Sequence, residues 1–502
     1  CTYEVIKRVS ENEVSYADPV EFTAVVRPYA DFVRVICKLL SSSKKNQTYK
    51  ALHALVLEKP ELERRLNERL LQRLRNRTST EKNETEDPSY MNVVMIGVDT
   101  VSRFNMMRHM TRTRHFLLDN MGAVELTNYN KGSYEKSFFD DLDIRFLWDE
   151  FAQQGYRTLY AEDHPGISIF NYEKKGFKRA PAHYYNRPME IAKERDGSLF
   201  SDSRHCFGGE PQDELILKYS LAFQRLFRDR PHFAFTFLTG STHGSDLNSP
   251  SQVDDYHARH LSSLAEEGLL NNTLLIFFSD HGIRWGEFRS TPLGKLEDVR
   301  PFMFLVFPEW FRTNHRDKMQ RVQQNAARLT TPTDIYATLL DALYLNGSDP
   351  FLHKRPKHHG VSLFDEIPEN RSCEQAGIPP PYCVCLNERP LNTSSALEAG
   401  EALVGKLNAV LEHVRTECHV LQLHDVIEAA EVDEGAQYNW YAKTNCQRTN
   451  TPTSLYRVVV ETRPGNGRFE ALLSRCDTSS KLEQQGQINR LTMYGDTSSC
   501  VS

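Results

Sequence analysis

The chain has 502 residues, of which 39% are hydrophobic and 25% are charged. This composition is ordinary for a globular protein and excludes a mostly disordered chain, and the length favours two domains. The formal net charge of -6 gives no global electrostatic reason to hold a polyanion, so nucleic acid is not an expected partner.

The cysteines and the glycosylation sequons both point to the secretory route. The ten cysteines include no Cys-x-x-Cys pair, which counts against zinc-ribbon and thioredoxin-type sites. Asn-x-Ser/Thr sequons, which predict N-glycans, occur at Asn46, Asn76, Asn83, Asn271, Asn346, Asn370 and Asn392. We therefore expect a disulfide-bonded glycoprotein that is secreted or held at the cell surface. The sequence has no membrane-spanning run and leaves a membrane anchor upstream of Cys1 open.

Residues 1–90 are predicted to form a disulfide-capable lead, a helix and a linker. In "ERRLNERLLQRLRNR" (63–77) the apolar residues recur at helical spacing. This pattern favours an amphipathic helix with a solvated basic face over a polyanion site. The polar run "RNRTSTEKNETEDP" (75–88) is typical of an exposed linker.

Residues 91–378 alternate short apolar strands with helical patterns. The predicted strands are "NVVMIGV" (92–98), "YRTLYAE" (156–162), "HFAFTFL" (232–238), "LLIFF" (274–278) and "PFMFLVF" (301–307). The helical patterns cover 108–122, 143–155, 213–229, 254–268 and 331–345. The alternation predicts an α/β fold in which helices flank both faces of a mostly parallel sheet.

Residues 379–502 are predicted to form a small, disulfide-bonded α+β domain. A helical pattern covers 396–414, and "SLYRVVVETRPGNGRFEALLSR" (454–475) is typical of a hairpin that turns at residues 464–467. Two bridges are expected among Cys418, Cys446, Cys476 and Cys500.

Residues with metal-binding side chains follow three of the predicted strands. Asp99 follows the first strand, His243 and Asp246 follow the third, and Asp280 and His281 follow the fourth. Ligands gather at the carboxyl ends of parallel strands, where such side chains can converge. Carboxylates and imidazoles suit one or two divalent ions, zinc above all, with manganese or calcium as alternatives. The plainer alternatives are a helix cap for Asp99 and ordinary polar turns for the others.

A fourth strand end carries a further candidate. Asp163 lies in "AEDHPGISIF" (161–170), directly after the second predicted strand. A substrate-facing or supporting role for Asp163 is open beside a capping and turn role.

Several segments resemble, in order and spacing, the sulfatase-like animal proteins of a domain-of-unknown-function family in the alkaline phosphatase superfamily. They are "VVMIGVDTVSRFN", "YRTLYAEDHPGISIFNYEKKGF", "NNTLLIFFSDHGIRWG", "VRPFMFLVFPEWF" and "RLTTPTDIYATLLDAL". The tail "LYRVVVETRPGNGRFEALL" resembles their C-terminal part, so the likeness runs from about residue 90 through most of the chain.

The resemblance implies which residues bind metal. Carried over, Asp99, Asp280 and His281 would ligate one ion. A second ion, as in phosphodiesterase members, would take His243 and Asp246. His359 in "KHHGVSLF" is a weaker candidate that also fits a plain loop histidine. Two cations about 4 Å apart can activate a nucleophile and stabilise the leaving oxygen of a phosphate ester.

The expected nucleophile is where this sequence departs from the family pattern. The family carries a Thr followed by an aromatic residue, Pro and Asn, whereas "TNYNKGSYEKSFFDDLDIRF" has no such Thr. Ser133 is the nearest hydroxyl. Either the segment is missing from the printed sequence or the protein has lost it, and the first explanation is favoured because the predicted ligands remain.

The resemblance implies a metal-dependent hydrolase or transferase that acts on a phosphate ester of a glycan, lipid or small molecule, in the manner of a phosphodiesterase. A sulfatase would need Cys-x-Pro-x-Arg, and none of the ten cysteines has it. The sulfatase is therefore the second alternative, and the first is a binding or structural glycoprotein that keeps the fold without turnover.

Overall fold

The computed structural model describes most of the chain. The described residues are 1–38, 48–76, 88, 90–130, 139, 145–172, 174–200, 206–345, 360–384, 387–415, 418–433, 454–475 and 481–492. Within these ranges, a large central sheet lies between an N-terminal and a C-terminal sheet in chain order.

The N-terminal elements are β1 (Thr2–Ser10), β2 (Glu13–Tyr16), β3 (Val20–Glu21), β4 (Phe32–Lys38), β5 (Thr48–Ala54) and α1 (Pro60–Asn76). The strands pair antiparallel in the order β2-β1-β4-β5, with β3 also on β1, and a disulfide joins Cys1 to Cys37. Helix α1 buries Leu62 and Leu66, as its amphipathic pattern predicts. The strands were not predicted from the sequence, because each buries at most two side chains and alternation is weak.

The central part of the chain supplies nine strands and ten helices within the described ranges. In chain order they are β6 (Asn92–Val98), α2 (Arg103–His109), α3 (Thr111–His115), β7 (Val124–Glu125), α4 (Leu147–Gln153), β8 (Arg157–Glu162), β9 (Tyr184–Tyr185), α5 (Arg187–Arg195), β10 (Cys206–Phe207), β11 (Glu210–Pro211), α6 (Gln212–Leu226), β12 (His232–Leu238), α7 (Asp254–Glu266), β13 (Thr273–Phe278), α8 (Pro292–Val299), β14 (Met303–Val306), α9 (Glu309–Asn314), α10 (Arg316–Asn325) and α11 (Pro332–Leu343).

The central sheet has seven strands in the order β7-β14-β13-β6-β12-β8-β9. The pairs from β13 to β9 are parallel, whereas β14 and β7 run antiparallel at one edge. Val94 and Ile96 of β6 join one apolar cluster with α5, α6 and α7, and Val93 and Met95 join another with α4 and α11. Both faces are therefore covered by helices, and the predicted α/β fold is confirmed.

The predicted elements of this region match the structure closely. The five predicted strands agree with β6, β8, β12, β13 and β14 to within two residues at each end. The helix predicted over 108–122 is instead divided into the end of α2, helix α3 and a π-helical turn at Phe116–Asn120. Continuous apolar runs were informative because these strands are buried on both faces.

Gly97 in β6 allows two aromatic rings to approach the strand that carries Asp99. Phe237 and Phe278 stand beside Gly97 on the neighbouring strands, and an added Cβ would lie 2.3 Å from the first ring and 2.8 Å from the second. We expect Gly97→Ala to lower the free energy of unfolding by about 1–3 kcal/mol, because the core is overpacked. Urea denaturation measures this. Gly405→Ala in the C-terminal helix, with nothing within 4 Å, is the control and should be neutral or stabilising.

Helix α7 buries a histidine that makes the stability of the fold depend on pH. His257 is 1% exposed and packs on the ring of Phe277, and burial followed by the charge of His260 lowers its pKa to about 3. The unfolded chain takes up this proton near pH 6.5 and the folded chain does not, so stability falls as the pH drops through that window. Between pH 7 and 5 we expect the wild type to lose about 2 kcal/mol more than His257→Leu in denaturant titrations. His53→Leu, at an exposed position of β5, should follow the wild type.

The C-terminal elements are β15 (Asn387–Pro390), α12 (Thr393–Val410), β16 (Gln422–Asp433), β17 (Ser454–Arg463), β18 (Arg468–Arg475) and β19 (Leu482–Arg490). The strands form one antiparallel sheet in chain order, so the predicted hairpin and the predicted helix are both present. A disulfide joins Cys373 to Cys383, and Cys418 is disulfide-bonded. The other three cysteines of the predicted bridges, Cys446, Cys476 and Cys500, lie outside the described residues.

A buried ionic cluster joins the C-terminal sheet to the core. We call Arg289, Asp298, Arg457 and Glu470 the docking cluster. Arg289 donates to Asp298 at 2.9 Å and to Glu470 of β18 at 2.8 Å, and Arg457 of β17 lies 3.4 Å from Glu470. The four side chains are each less than 10% exposed, so the sheet docks through buried charge pairs.

Membrane-spanning helices and glycosylation sequons are two further features that the sequence raises. No helix in the described ranges combines the length and the apolar composition needed to cross a membrane. The sequon residues Asn271, Asn370 and Asn392 are exposed, as acceptors of N-glycans must be. The other four sequon side chains lie outside the described part.

Candidate metal centre

Two neighbouring parallel strands deliver three metal-binding side chains to one edge of the sheet. Asp99 directly follows β6, and Asp280 and His281 follow β13 after a single serine. Since β6 and β13 pair in register, their carboxyl ends coincide. One potential ligand atom from each of these residues lies within 4.8 Å of the other two. The predicted convergence of Asp99, Asp280 and His281 is present in the fold.

The ionisable side chains of this group shift one another's pKa. His281 Nε2 lies 3.2 Å from Asp280 Oδ2 and 3.6 Å from Asp99 Oδ1. Burial would raise the pKa of Asp99, but the hydrogen bond from His243 and the charges of His281 and His243 lower it to about 2. Partial burial followed by the charge of Asp99 raises the pKa of Asp280 to about 8. Two carboxyl groups this close repel each other unless a proton or a cation lies between them. A bound metal ion would supply that cation.

His281 presents one nitrogen to the carboxylates. Its Nδ1 lies 2.7 Å from the carbonyl oxygen of Gly282, which can only accept, so Nδ1 carries a proton and Nε2 is the nitrogen that faces the carboxylates. Gly282 itself packs so tightly that a Cβ would lie 2.3 Å from the carbonyl oxygen of Glu297, and its N–H donates to the carbonyl of Asp298 at 2.9 Å. A glycine is therefore required beside the ligand.

Thr100 holds both carboxylates and was not singled out from the sequence. Its hydroxyl donates to Asp99 at 2.7 Å, and its N–H donates to Asp280 at 3.3 Å. Its φ of 64° is a left-handed conformation that β-branched residues rarely adopt, so backbone strain accompanies this contact. Ser279, also missed, links the two strand ends by accepting from the N–H of Val101 at 3.0 Å and donating to the carbonyl of His281 at 3.1 Å.

The two predicted metal ligands on the loop after β12 lie in different surroundings. His243 reaches the group, because its Nδ1 lies 2.8 Å from Asp99 Oδ2, and its ring packs against Trp285. Asp246 is exposed, lies outside the group of three, and accepts the N–H of Asn248 at 2.9 Å in a turn. The structure therefore brings His243 and not Asp246 to Asp99.

The remaining candidates lie behind the site or outside the described residues. Asp163 is fully buried after β8 and accepts the backbone N–H groups of Thr239 and Gly240, each at 2.8 Å. It therefore supports the loop that carries His243, a role that a strand-end position alone does not reveal. Ser133 and His359 fall outside the described residues, so their predicted roles stay predictions.

The sequence matches a known family over most of its length. The family described as "Protein of unknown function (DUF229)" matches residues 1–133 and 133–427, so the two matched stretches meet at Ser133. A search of curated proteins found no match.

Several solved structures are similar at low identity. The lipooligosaccharide phosphoethanolamine transferase A from Neisseria meningitidis is 14% identical, with a TM-score of 0.36 over 53% of this chain and 57% of that chain. The C-terminal periplasmic domain of EptC from Escherichia coli is 15% identical, with a TM-score of 0.35 over 52% and 84%. A protein in the alkaline phosphatase superfamily from Vibrio parahaemolyticus is 10% identical, with a TM-score of 0.33 over 84% and 91%.

Proposed function

This chain belongs to the DUF229 family, and we propose that it is a metal-dependent enzyme that hydrolyses or transfers a phosphate ester. The observation that carries the proposal is the convergence of Asp99, Asp280 and His281 at the carboxyl edge of the central sheet. Zinc is the ion best matched to two carboxylates and one imidazole, with manganese or calcium as alternatives. His243, on the second oxygen of Asp99, is the residue best placed to take part in a second ion site.

The residues of the chain prepare this site before any ion binds. When bound, an ion would supply a Lewis acid that polarises a phosphoryl oxygen and activates an attacking oxygen. Asp99 is oriented by Thr100 and His243, so its two oxygens point in fixed directions. The side chain of Asp280 is 37% exposed, so the group opens to solvent on the side of Asp280. A substrate would approach from that side.

A phosphate ester is favoured over a sulfate ester by the sequence alone. The formylglycine that sulfatases need comes from Cys-x-Pro-x-Arg, and the nearest match, "CLNER" at Cys385, lacks the Pro. We expect the substrate to be a glycan, lipid or small molecule that carries the ester. The disulfides and the exposed sequons support a secreted or cell-surface protein.

A glycoprotein that keeps the fold without turnover is the second candidate, and one observation favours it. The family match breaks at Ser133, where the sequence lacks the expected Thr, aromatic residue, Pro and Asn. Sequencing the full transcript across 132–138 separates the two. An inserted segment of that composition favours the enzyme, and its true absence favours the inactive protein.

Elemental analysis of the purified protein tests the proposal first. We expect at least one equivalent of zinc, manganese or calcium per chain, or stoichiometric loading of protein stripped by a chelator. Protein that contains no divalent ion and cannot be loaded would overturn the proposal. The loaded protein is then assayed on bis-p-nitrophenyl phosphate, p-nitrophenyl phosphate and p-nitrophenyl sulfate, and we expect turnover of a phosphate ester and none of the sulfate.

A further inference from the structure

Two buried carboxyl groups lie behind the loop that carries His243. We call residues 239–244 the His243 loop. Asp163 is 0% exposed and Asp213, in the first turn of α6, is 1% exposed. Both oxygens of Asp163 accept backbone N–H groups of the His243 loop at 2.8 Å. An ionised carboxylate offers two equivalent acceptor oxygens, so this arrangement suits Asp163 as the charged member of the pair.

Asp213 is arranged differently. Its Oδ1 accepts the hydroxyl of Ser241 at 2.7 Å, and Tyr256 of α7 faces this carboxyl group. Its Oδ2 is buried, and among the described residues no donor reaches it. The carboxyl group also lies beside that of Asp163, since the two groups bind consecutive residues of the His243 loop. A buried charged oxygen without a donor is costly, whereas a protonated oxygen can itself donate to a neighbouring carboxylate.

Burial and the charge of Asp163 favour the proton on Asp213. Glu162 and Glu190 also lie near Asp163, but burial raises the pKa of each to about 7, so at pH 6 they add little negative charge that would draw the proton to Asp163. The groups that face Asp213 itself are Asp163, which follows β8, Ser241 of the His243 loop and Tyr256 of α7. Burial followed by the charge of Asp163 raises the pKa of Asp213 to about 7.

We propose that Asp213 is held as a carboxylic acid that donates its proton to the Asp163 carboxylate, and that this pair positions the His243 loop so that His243 reaches Asp99. Asp163 and Asp213 are thus positioning residues. Their effect on turnover rests on the proposed function, whereas the shared proton does not.

The two members of the pair respond differently to amide substitution. Asp213→Asn replaces an acid by an isosteric donor, so at pH 6 we expect a zinc affinity within about twofold of the wild type and a melting temperature no lower than that of the wild type. Asp163→Asn can accept with only one oxygen and turns an NH₂ group towards a backbone N–H. We expect it to lower the melting temperature and to weaken zinc binding or kcat by at least about tenfold. Asp255→Asn, at an exposed position of α7, is the matched control.

Two further measurements bear on the proton itself. The infrared difference spectrum between wild type and Asp213→Asn at pH 6 should contain the C=O band of one protonated carboxyl group, and this measurement needs no activity. A group whose pKa is raised in the folded state loses its stabilising effect as the pH rises through that value. The wild type should therefore lose stability from pH 4 to 7 relative to Asp213→Asn.

These outcomes separate the inference from the proposed function. Equal damage from Asp163→Asn and Asp213→Asn, or a difference spectrum without the band, would overturn the shared proton. A band together with the unequal damage supports it, even if the protein binds no metal and turns over no ester.

Discussion

Asp280→Ala is expected to abolish metal retention and to lower activity on a phosphate ester by more than about 100-fold. Loss of a residue that only supports a ligand costs 10- to 100-fold in related sites, so loss of a direct ligand should cost more. The reason is geometric, because Asp280 supplies one of the three side chains whose ligand atoms lie within 4.8 Å of one another. Elemental analysis and thermal shift with added zinc measure the loss, since a bound ion raises the melting temperature and an unbound one does not.

In the metal-free protein we expect the same substitution to leave the melting temperature unchanged or to raise it. Desolvation and Asp99 raise the pKa of Asp280, so without an ion the two carboxyl groups destabilise each other near neutral pH. Metal-free Asp280→Ala should therefore melt no lower than metal-free wild type, while loaded wild type melts higher than both. Asp255→Ala on the exposed face of α7 should behave as wild type in every arm. Retained stoichiometric metal in Asp280→Ala would contradict the assignment of this ligand.

Arg289→Met is expected to cost about 3–5 kcal/mol of unfolding free energy, because it leaves Asp298 and Glu470 buried without their cation. The same change should weaken zinc binding. The carbonyl of Asp298 accepts the N–H of Gly282, which adjoins His281, so a displaced Asp298 moves the backbone of a ligand. Urea denaturation and zinc titration measure the two effects.

A surface arginine provides the comparison for this prediction. Arg225 pairs with Glu267 at 2.5 Å while 52% of its side chain is exposed, and Arg225→Met should cost no more than about 1 kcal/mol. A double-mutant cycle with Glu470→Gln isolates the Arg289 pair, which should be coupled by about 0.5–3 kcal/mol. If Arg289→Met costs as little as Arg225→Met, the docking cluster does not stabilise the protein.

The central fold could be predicted from the sequence because its strands are buried on both faces. "NVVMIGV" and "HFAFTFL" are continuous apolar runs and become β6 and β12 without a shift at either end. The meeting of Asp99 with Asp280 and His281 follows from the same pattern, since neighbouring parallel strands end at one edge. That these three residues bind a metal stays a prediction.

Other features could not be predicted, each for a physical reason. The strands of the N-terminal sheet bury few side chains, so their pattern resembles that of an irregular segment. Thr100 acts through a left-handed backbone and two hydrogen bonds, neither of which has a signature in residue type. The docking cluster joins residues 289 and 298 to residues 457 and 470, and separations of that size carry no periodic signal.

The docking cluster also bears on the order of folding and metal binding while the chain is being synthesised. A growing chain that has been synthesised as far as α11 already contains Asp99, Asp280 and His281, but it lacks Glu470, the partner of Arg289. Until β18 is made, Arg289 and the Asp298 segment that holds Gly282 are without that anchor. We therefore expect the site to be completed late in biosynthesis, with metal acquisition following the folding of the C-terminal sheet. Metal capture would thus report that the whole chain has folded.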